Sequence, residues 1–171
     1  MDGIYFDEHE KYQIDLRFAI WKTDRLHEMY KTIGNELSDV DWIAETNDEI
    51  FLIEFKNTRF ATTKKEYEDD ALEGKKEFYD KICKKYYGST FFVLTRKNTK
   101  PINFICVVEP EIMDSTLRKR ATASIKKRLP FELQNDTDIL INLINKFEIL
   151  DINEWNNQYP YFPLKPKESN P

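Results

Sequence analysis

Apolar and polar residues alternate at the start of the chain. Tyr12, Ile14, Leu16, Phe18 and Ile20 take one side, with Gln13, Asp15 and Arg17 on the other, which predicts a half-buried strand over residues 12–20. Ile4 to Phe6 is placed to pair with it across a polar turn at residues 7–10. The period then lengthens. Leu26, Met29, Tyr30, Ile33 and Leu37 form a helical stripe behind an N-cap at Thr23 or Asp24. Two strands follow, 38–46 and 49–57, around the dipeptide Asn47-Asp48. A long helix is predicted over 65–87, with Gly88 as its C-terminal stop. Residues 90–95 and 102–108 are β-branched and aromatic, and read as buried strands. Helices over about 111–128 and 137–147 complete the regular elements, and residues 155–166, rich in Pro and aromatics, are expected to pack irregularly over the core. The order predicts an α/β fold with a mixed central sheet flanked by helices. It is a single domain over 1–171, with a core at about 24–109, an extra N-terminal β-hairpin and a C-terminal helical extension over about 110–171.

Composition narrows the class. With 12 Phe, 9 Tyr and 3 Trp the chain has ample material for a core. No apolar run approaches the length of a membrane span, and the acidic start MDGIYFDEHEKY lacks the order of a signal peptide. Cys83 and Cys106 sit singly in apolar stretches, as buried thiols of a reducing compartment do, so a cytoplasmic location is expected. The net charge of −5 is unevenly spread. Residues 1–60 hold 7 Lys/Arg against 14 Asp/Glu, residues 61–128 hold 16 against 10, and residues 129–171 hold 3 against 7. An acidic third suited to chelating a cation precedes a basic third suited to a polyanion.

The hairpin SDVDWIAETNDEIFLIEFKNTRF carries the candidate chemistry. If Asn47-Asp48 is a two-residue turn, paired positions sum to 95, so Asp41 lies opposite Glu54 and Asp39 opposite Lys56. Alternation puts all four side chains on one face. Opposed carboxylates repel unless a positive charge sits between them, and Mg²⁺, an oxygen-seeking ion, meets that need. Glu54 and Lys56 also end the run Ile50-Phe51-Leu52-Ile53, apolar on both faces, where an unpaired charge is costly. The non-catalytic alternative is an Asp39–Lys56 salt bridge with Glu54 at the sheet's rim.

An Asp, a turn, and an apolar strand ending Glu-x-Lys, after one helix and before another, resemble the PD-(D/E)XK nuclease superfamily over about residues 24–109. Val40 stands at the motif's Pro position. The resemblance implies a restriction-endonuclease-like core. It makes Asp41 the first acid, Glu54 the second and Lys56 the catalytic lysine. Asp41, Glu54 and the Phe55 carbonyl would hold Mg²⁺ or Mn²⁺. A further Glu from the preceding helix, Glu36 or Glu28, would assist, and Glu36 is nearer the hairpin. Lys75-x-x-x-Tyr79 has the spacing of a Gln-x-x-x-Tyr motif found in RecB-like members, with Lys in place of Gln. Core packing is the other reading of Tyr79.

Arg118, Lys119, Lys126 and Lys127, on a helix with an apolar opposite face, form the candidate phosphate-binding patch together with Lys75; a solvated face is the alternative. Trp42 points away from Asp41 and reads as core. His9 and His27 read as exposed residues, and a chain with 4 Gly has no phosphate-cradling glycine loop. The function expected is metal-dependent hydrolysis of nucleic acid, DNA before RNA. The rivals are a nuclease-like module that binds nucleic acid or protein without cutting, and a structural protein whose acidic third is an interface. An open edge of the N-terminal strands leaves room for a homodimer.

Overall fold

The computed structural model describes residues 3–34, 36–57 and 72–167, with side chains from residue 76 onward in the helix that begins at Leu72. The N-terminal alternation forms a small antiparallel sheet. β1 (Ile4–Phe6) pairs with β2 (Tyr12–Asp15), and β2 pairs on its other edge with β8 (Leu164–Pro166). The main sheet has five strands in the order β3 (Trp21–Thr23), β4 (Trp42–Glu45), β5 (Ile50–Lys56), β6 (Ile102–Val108) and β7 (Lys146–Asp151). β4 runs antiparallel to both its neighbours, β3 and β5, and β6 and β7 continue parallel to β5. The fold is therefore α/β with a mixed sheet, as the pattern predicts.

The hairpin register is also the predicted one. Trp42 faces Ile53, Ile43 faces Leu52, and Glu45 faces Ile50. The turn is pinned by Glu49 N–H donating to Thr46 Oγ1 at 3.1 Å and Thr46 N–H donating to the Glu49 carbonyl at 2.8 Å. β5 is buried on both faces because each face meets a different layer. Leu52 joins a core built from α1 (Leu26–Lys31), α2 (Leu72–Thr95) and α3 (Ser115–Lys126). Phe51, Ile53 and Phe55 join a second core with Trp155 of α4 (Ile152–Gln158) and Ile14 and Leu164 of the small sheet. Trp42 is buried in that second core, stacked against Phe55, as expected.

Several expectations fail. Residues 12–20 form only the short β2, and the first helix stops at Lys31 rather than continuing to Leu37. The predicted helix over 65–87 has its first residues outside those described; its remainder does not end at Gly88. α2 runs on to Thr95 and absorbs the predicted strand over 90–95. Phe78, Ile82, Tyr86, Ser89, Thr90 and Val93 are among its buried residues, and they recur at three- and four-residue intervals as a helix face requires. Polar Ser89 and Thr90 disguise that face in the sequence. Gly88 allows α2 to approach the chain before β4: a Cβ there would run into the Ser38 carbonyl. Tyr30 donates to the Gly88 carbonyl at 2.6 Å, and Val40 N–H donates to Ser89 Oγ at 3.0 Å.

The helix predicted over 137–147 is absent. Residues 136–145 form no helix or strand, and β7 follows. The Gln134 side chain accepts from Ile144 N–H at 2.9 Å, and Asn145 N–H donates to the Ile102 carbonyl at 2.8 Å, which feeds the chain into the sheet. Leu140, which a packed helix would bury, is 90% exposed. The C-terminal segment is more regular than expected. Asp151 begins α4 with a reciprocal capping box to Glu154, and β8 closes the small sheet. The region after 110 is thus partly strand, and β7 belongs to the main sheet. No helix among the described residues is long and apolar enough to cross a membrane.

The contact at Gly88 yields a stability test. Gly88→Ala should destabilise the protein by about 2–3 kcal/mol, because the new methyl meets backbone rather than a side chain that can turn aside. Urea unfolding of the variant against the wild type measures this. An unchanged midpoint would show that the two segments separate freely.

Candidate functional site

The carboxyl end of β5 brings an acid and a base side chain out of an otherwise apolar strand. Glu54 shares its face with Leu52 and so points at the α2 layer, where it has no solvent exposure at all. A lone carboxylate in that place would be several kcal/mol unfavourable. Two ammonium groups offset this. Lys56 Nζ lies 2.6 Å from Glu54 Oε1, and Lys85 Nζ, reaching across from α2, donates to Oε2 at 2.8 Å. Burial alone would raise the Glu54 pKa, but the two lysines outweigh it and hold the group below its ordinary value. The same coupling keeps both lysines firmly protonated, against the pull of their own burial.

Asp41 sits just before β4, at the position opposite Glu54 in the extended register. The ladder is broken there, and Asp41 replaces backbone with side chain: Phe55 N–H donates to its Oδ2 at 2.7 Å. Its second oxygen takes no hydrogen bond from a described residue. Burial, and then the charge of Glu54, push its pKa up to about 6. The carbonyl of Phe55 leaves β5 on the same edge as its N–H, toward Asp41.

Asp41 and Lys85 line two adjoining clefts. One, of about 420 Å³, is bounded by Asp7, Glu8, Asp24, Glu28 and Asp39, with His27 and Lys31 among its other walls. The second is smaller, and Lys56 and Asn57 reach it. The β1–β2 turn supplies Asp7, which accepts from the backbone of Lys11 and Tyr12 at 2.7 Å each and from Asn57 Nδ2 at 3.0 Å. The small sheet is thereby tied to the residue that follows Lys56. Tyr12 closes the same corner, its ring 5.0 Å from that of Phe55.

Asp41, Glu54, Lys56 and the Phe55 backbone therefore do come together. The positive charge between the carboxylates is not a vacancy awaiting an ion, because two lysines already supply it. Nor does Lys56 bridge Asp39, which instead approaches His27 Nδ1 at 3.4 Å. Glu36 lies exposed in the loop after α1 and lines neither cleft; Glu28, one face of α1 away, lines the larger one. Lys75 falls in α2 where side chains are not described, and Tyr79 packs against the core with the Arg128 guanidinium 5.5 Å from its ring centre. Sequence reasoning missed Lys85. No local pattern marks it, since only the crossing of α2 over β5 places it on Glu54.

The basic helix divides in two. Lys119 and Lys126 are exposed on α3, and Lys127, which caps its end, is exposed too. Arg118 is only 6% exposed, and it donates to the Met113 carbonyl at 2.8 Å, to Asp151 at 3.0 Å and to Glu154 at 2.9 Å. It is a strut joining α3 to the start of α4, and its guanidinium is not available to a phosphate backbone. Cys83 and Cys106 are free and buried, and burial raises both thiols, to about 11 for Cys83.

Among the described residues, no three His, Cys, Asp or Glu side chains gather as a metal-binding group. Mg²⁺ asks for less: one or two carboxylates suffice, with waters and substrate phosphate completing its shell. Asp41, which lines the cleft, and the Phe55 carbonyl are hard oxygen donors of that kind, and Glu54 is one whose two oxygens Lys56 and Lys85 hold. No family model, curated protein or solved structure matches the chain.

The two carboxylates should respond oppositely to substitution. Glu54→Ala leaves two ammonium groups together without their anion and should cost about 3–5 kcal/mol in urea unfolding. A loss under 1 kcal/mol would mean that the lysines turn out to solvent at little cost.

Asp41 is different because its folded pKa, about 6, lies above its ordinary 3.8. The folded protein binds that proton more tightly, so ionisation costs stability as pH rises through this window. Asp41→Asn removes the cost. Its stability relative to wild type should climb between pH 4 and pH 6 and level off above, by at most about 3 kcal/mol. A difference that does not vary with pH would contradict a raised Asp41 pKa.

Proposed function

We propose that the chain is a divalent-cation-dependent phosphodiesterase acting on nucleic acid, with DNA the first substrate to test. The observation that carries the reading is that Asp41 and Lys56 line a cleft at the carboxyl end of β5, with Glu54 buried against Lys56. Crevices outside the carboxyl ends of strands are where open α/β sheets bind ligands. The resemblance of the hairpin to PD-(D/E)XK nucleases supports the same reading.

Asp41, Glu54 and the Phe55 carbonyl would hold Mg²⁺ or Mn²⁺. When bound, the cation lowers the pKa of a water and neutralises charge on the phosphate. Lys56, kept protonated by Glu54 and Asp41, is unsuited to act as a general base. Its role is to donate to a phosphoryl oxygen and stabilise charge in the transition state. The raised pKa of Asp41 makes metal loading pH-dependent, because the proton must leave before the oxygen ligates. Lys119, Lys126 and Lys127, exposed on the same side of the sheet as α2, are the residues that would hold the nucleic-acid backbone.

One observation favours a second reading. Lysines already engage both oxygens of Glu54, so the protein neutralises that carboxylate by itself. A nuclease-like module that binds nucleic acid or protein without cutting would show the same feature.

The test is cleavage of duplex, single-stranded and branched DNA, and of RNA, with Mn²⁺ or Mg²⁺ and with EDTA. The expected result is cutting that EDTA stops. Asp41→Asn should lower it by about a hundredfold or more while the fold is kept, and Lys56→Met should lower the turnover rate by a similar factor. Survival of all substrates with Mn²⁺ would hand the site to the non-cutting reading.

A further inference from the structure

Lys85 occupies a place that neither the hairpin motif nor the proposed reaction requires. It comes from α2 rather than the hairpin, donates to Glu54 Oε2 at 2.8 Å, and lines both clefts that Asp41 lines. Glu54 itself has no exposed surface. Of the two ammonium groups that cover Glu54, the one on Oε2 belongs to the side chain that lines both clefts, so Lys85 stands between those clefts and a Glu54 ligand. The local charge count points the same way. With Asp41 ionised, Asp41 and Glu54 balance Lys56 and Lys85, and Asp39, within reach of Lys85, adds one further negative charge.

Resting on the metal-dependent reading above, we infer that Lys85 is an internal competitor for the divalent cation, and that its displacement couples metal loading to substrate. With Lys85 in place, a doubly charged ion added to these largely buried groups still leaves an excess of positive charge, which low-dielectric surroundings penalise. A phosphodiester in the cleft corrects that excess. It also gives Lys85 a new anion, so the ammonium leaves Glu54 without losing a partner. In this arrangement the site binds metal weakly alone and more firmly with nucleic acid. Lys85 is a positioning residue for the cation, whereas Lys56, two residues along β5 from Glu54, stays with the reaction centre.

The experiment is calorimetric titration of Mn²⁺ into wild type, Lys85→Gln and Lys85→Arg. Each is run alone and with a short phosphorothioate oligonucleotide, subtracting the heat of Mn²⁺ binding to the oligonucleotide. Lys85→Gln removes the charge and should bind Mn²⁺ alone about tenfold tighter or more, an order-of-magnitude figure for losing one ammonium beside the ligand. The oligonucleotide should tighten Mn²⁺ binding in wild type by a larger factor than in Lys85→Gln. Lys85→Arg keeps the charge and should behave as wild type. If Lys85→Gln does not fold by circular dichroism, Lys85→Met, which keeps the buried stem, supplies the same comparison.

Equal or weaker Mn²⁺ binding by the uncharged variants would overturn the competition while leaving the metal reading in place. So would tightening by Lys85→Arg to the same extent. Absence of Mn²⁺ binding by every protein, with and without oligonucleotide, would overturn both.

Discussion

A carboxylate with no access to water, Glu54, sits where the central strand of the sheet meets a helix. Its charge is tolerable only because two lysines reach it, one from its own strand and one from α2. This requirement constrains the layers around it. α2 must lie close enough to β5 for Lys85 to span the gap, and the close approach at Gly88 and Ser38 lets it do so. The bonds from Tyr30 to Gly88 and from Val40 to Ser89 hold the same contact from the other side. Replacing such a cluster by apolar residues costs a protein little, whereas removing one member costs several kcal/mol. Stability alone therefore does not account for keeping four ionisable groups at one spot.

The uneven charge along the chain acquires a structural meaning. The acidic first third supplies Asp7, Glu8, Asp24, Glu28, Asp39 and Asp41 to the walls of one cleft. The basic middle supplies Lys85 to that cleft, while the exposed lysines of α3 stand beside β7 and α4. A polyanion approaching such a cleft meets repulsion from its walls unless cations screen it. The small sheet takes part as well. Through Asp7 and Asn57 it fastens the acidic wall to the end of β5, and it buries the face of that strand away from the site.

Charge alone is a poor guide to which basic residues are free to bind. Arg118 belongs to a run of basic residues along α3, yet its guanidinium serves the start of α4. Lys119, next to it in sequence, points out. One helical step of about 100° separates a buried strut from an exposed cation. Glu36 and Glu28 show the same principle on the acidic side, where only Glu28 faces the cleft.

By itself, the sequence determined the features that local rules govern. The two-residue turn at Asn47-Asp48 set the hairpin register, since one side-chain alternation follows from one turn length. The apolar run of β5 marked a strand buried on both faces, and the polar pair at its end marked the candidate site. The tertiary structure decided everything that needs a distant partner. Residues 90–95 have the composition of a strand, but the packing of Val93 and Phe92 carries them as helix. Residues 146–151 became a strand because β6 offered a free edge with matching register. Lys85 joined Glu54 across 31 positions of chain. Backbone periodicity extends over a few residues and can be read directly. A buried charge finds its partners through space, and only the packed layers say which those are.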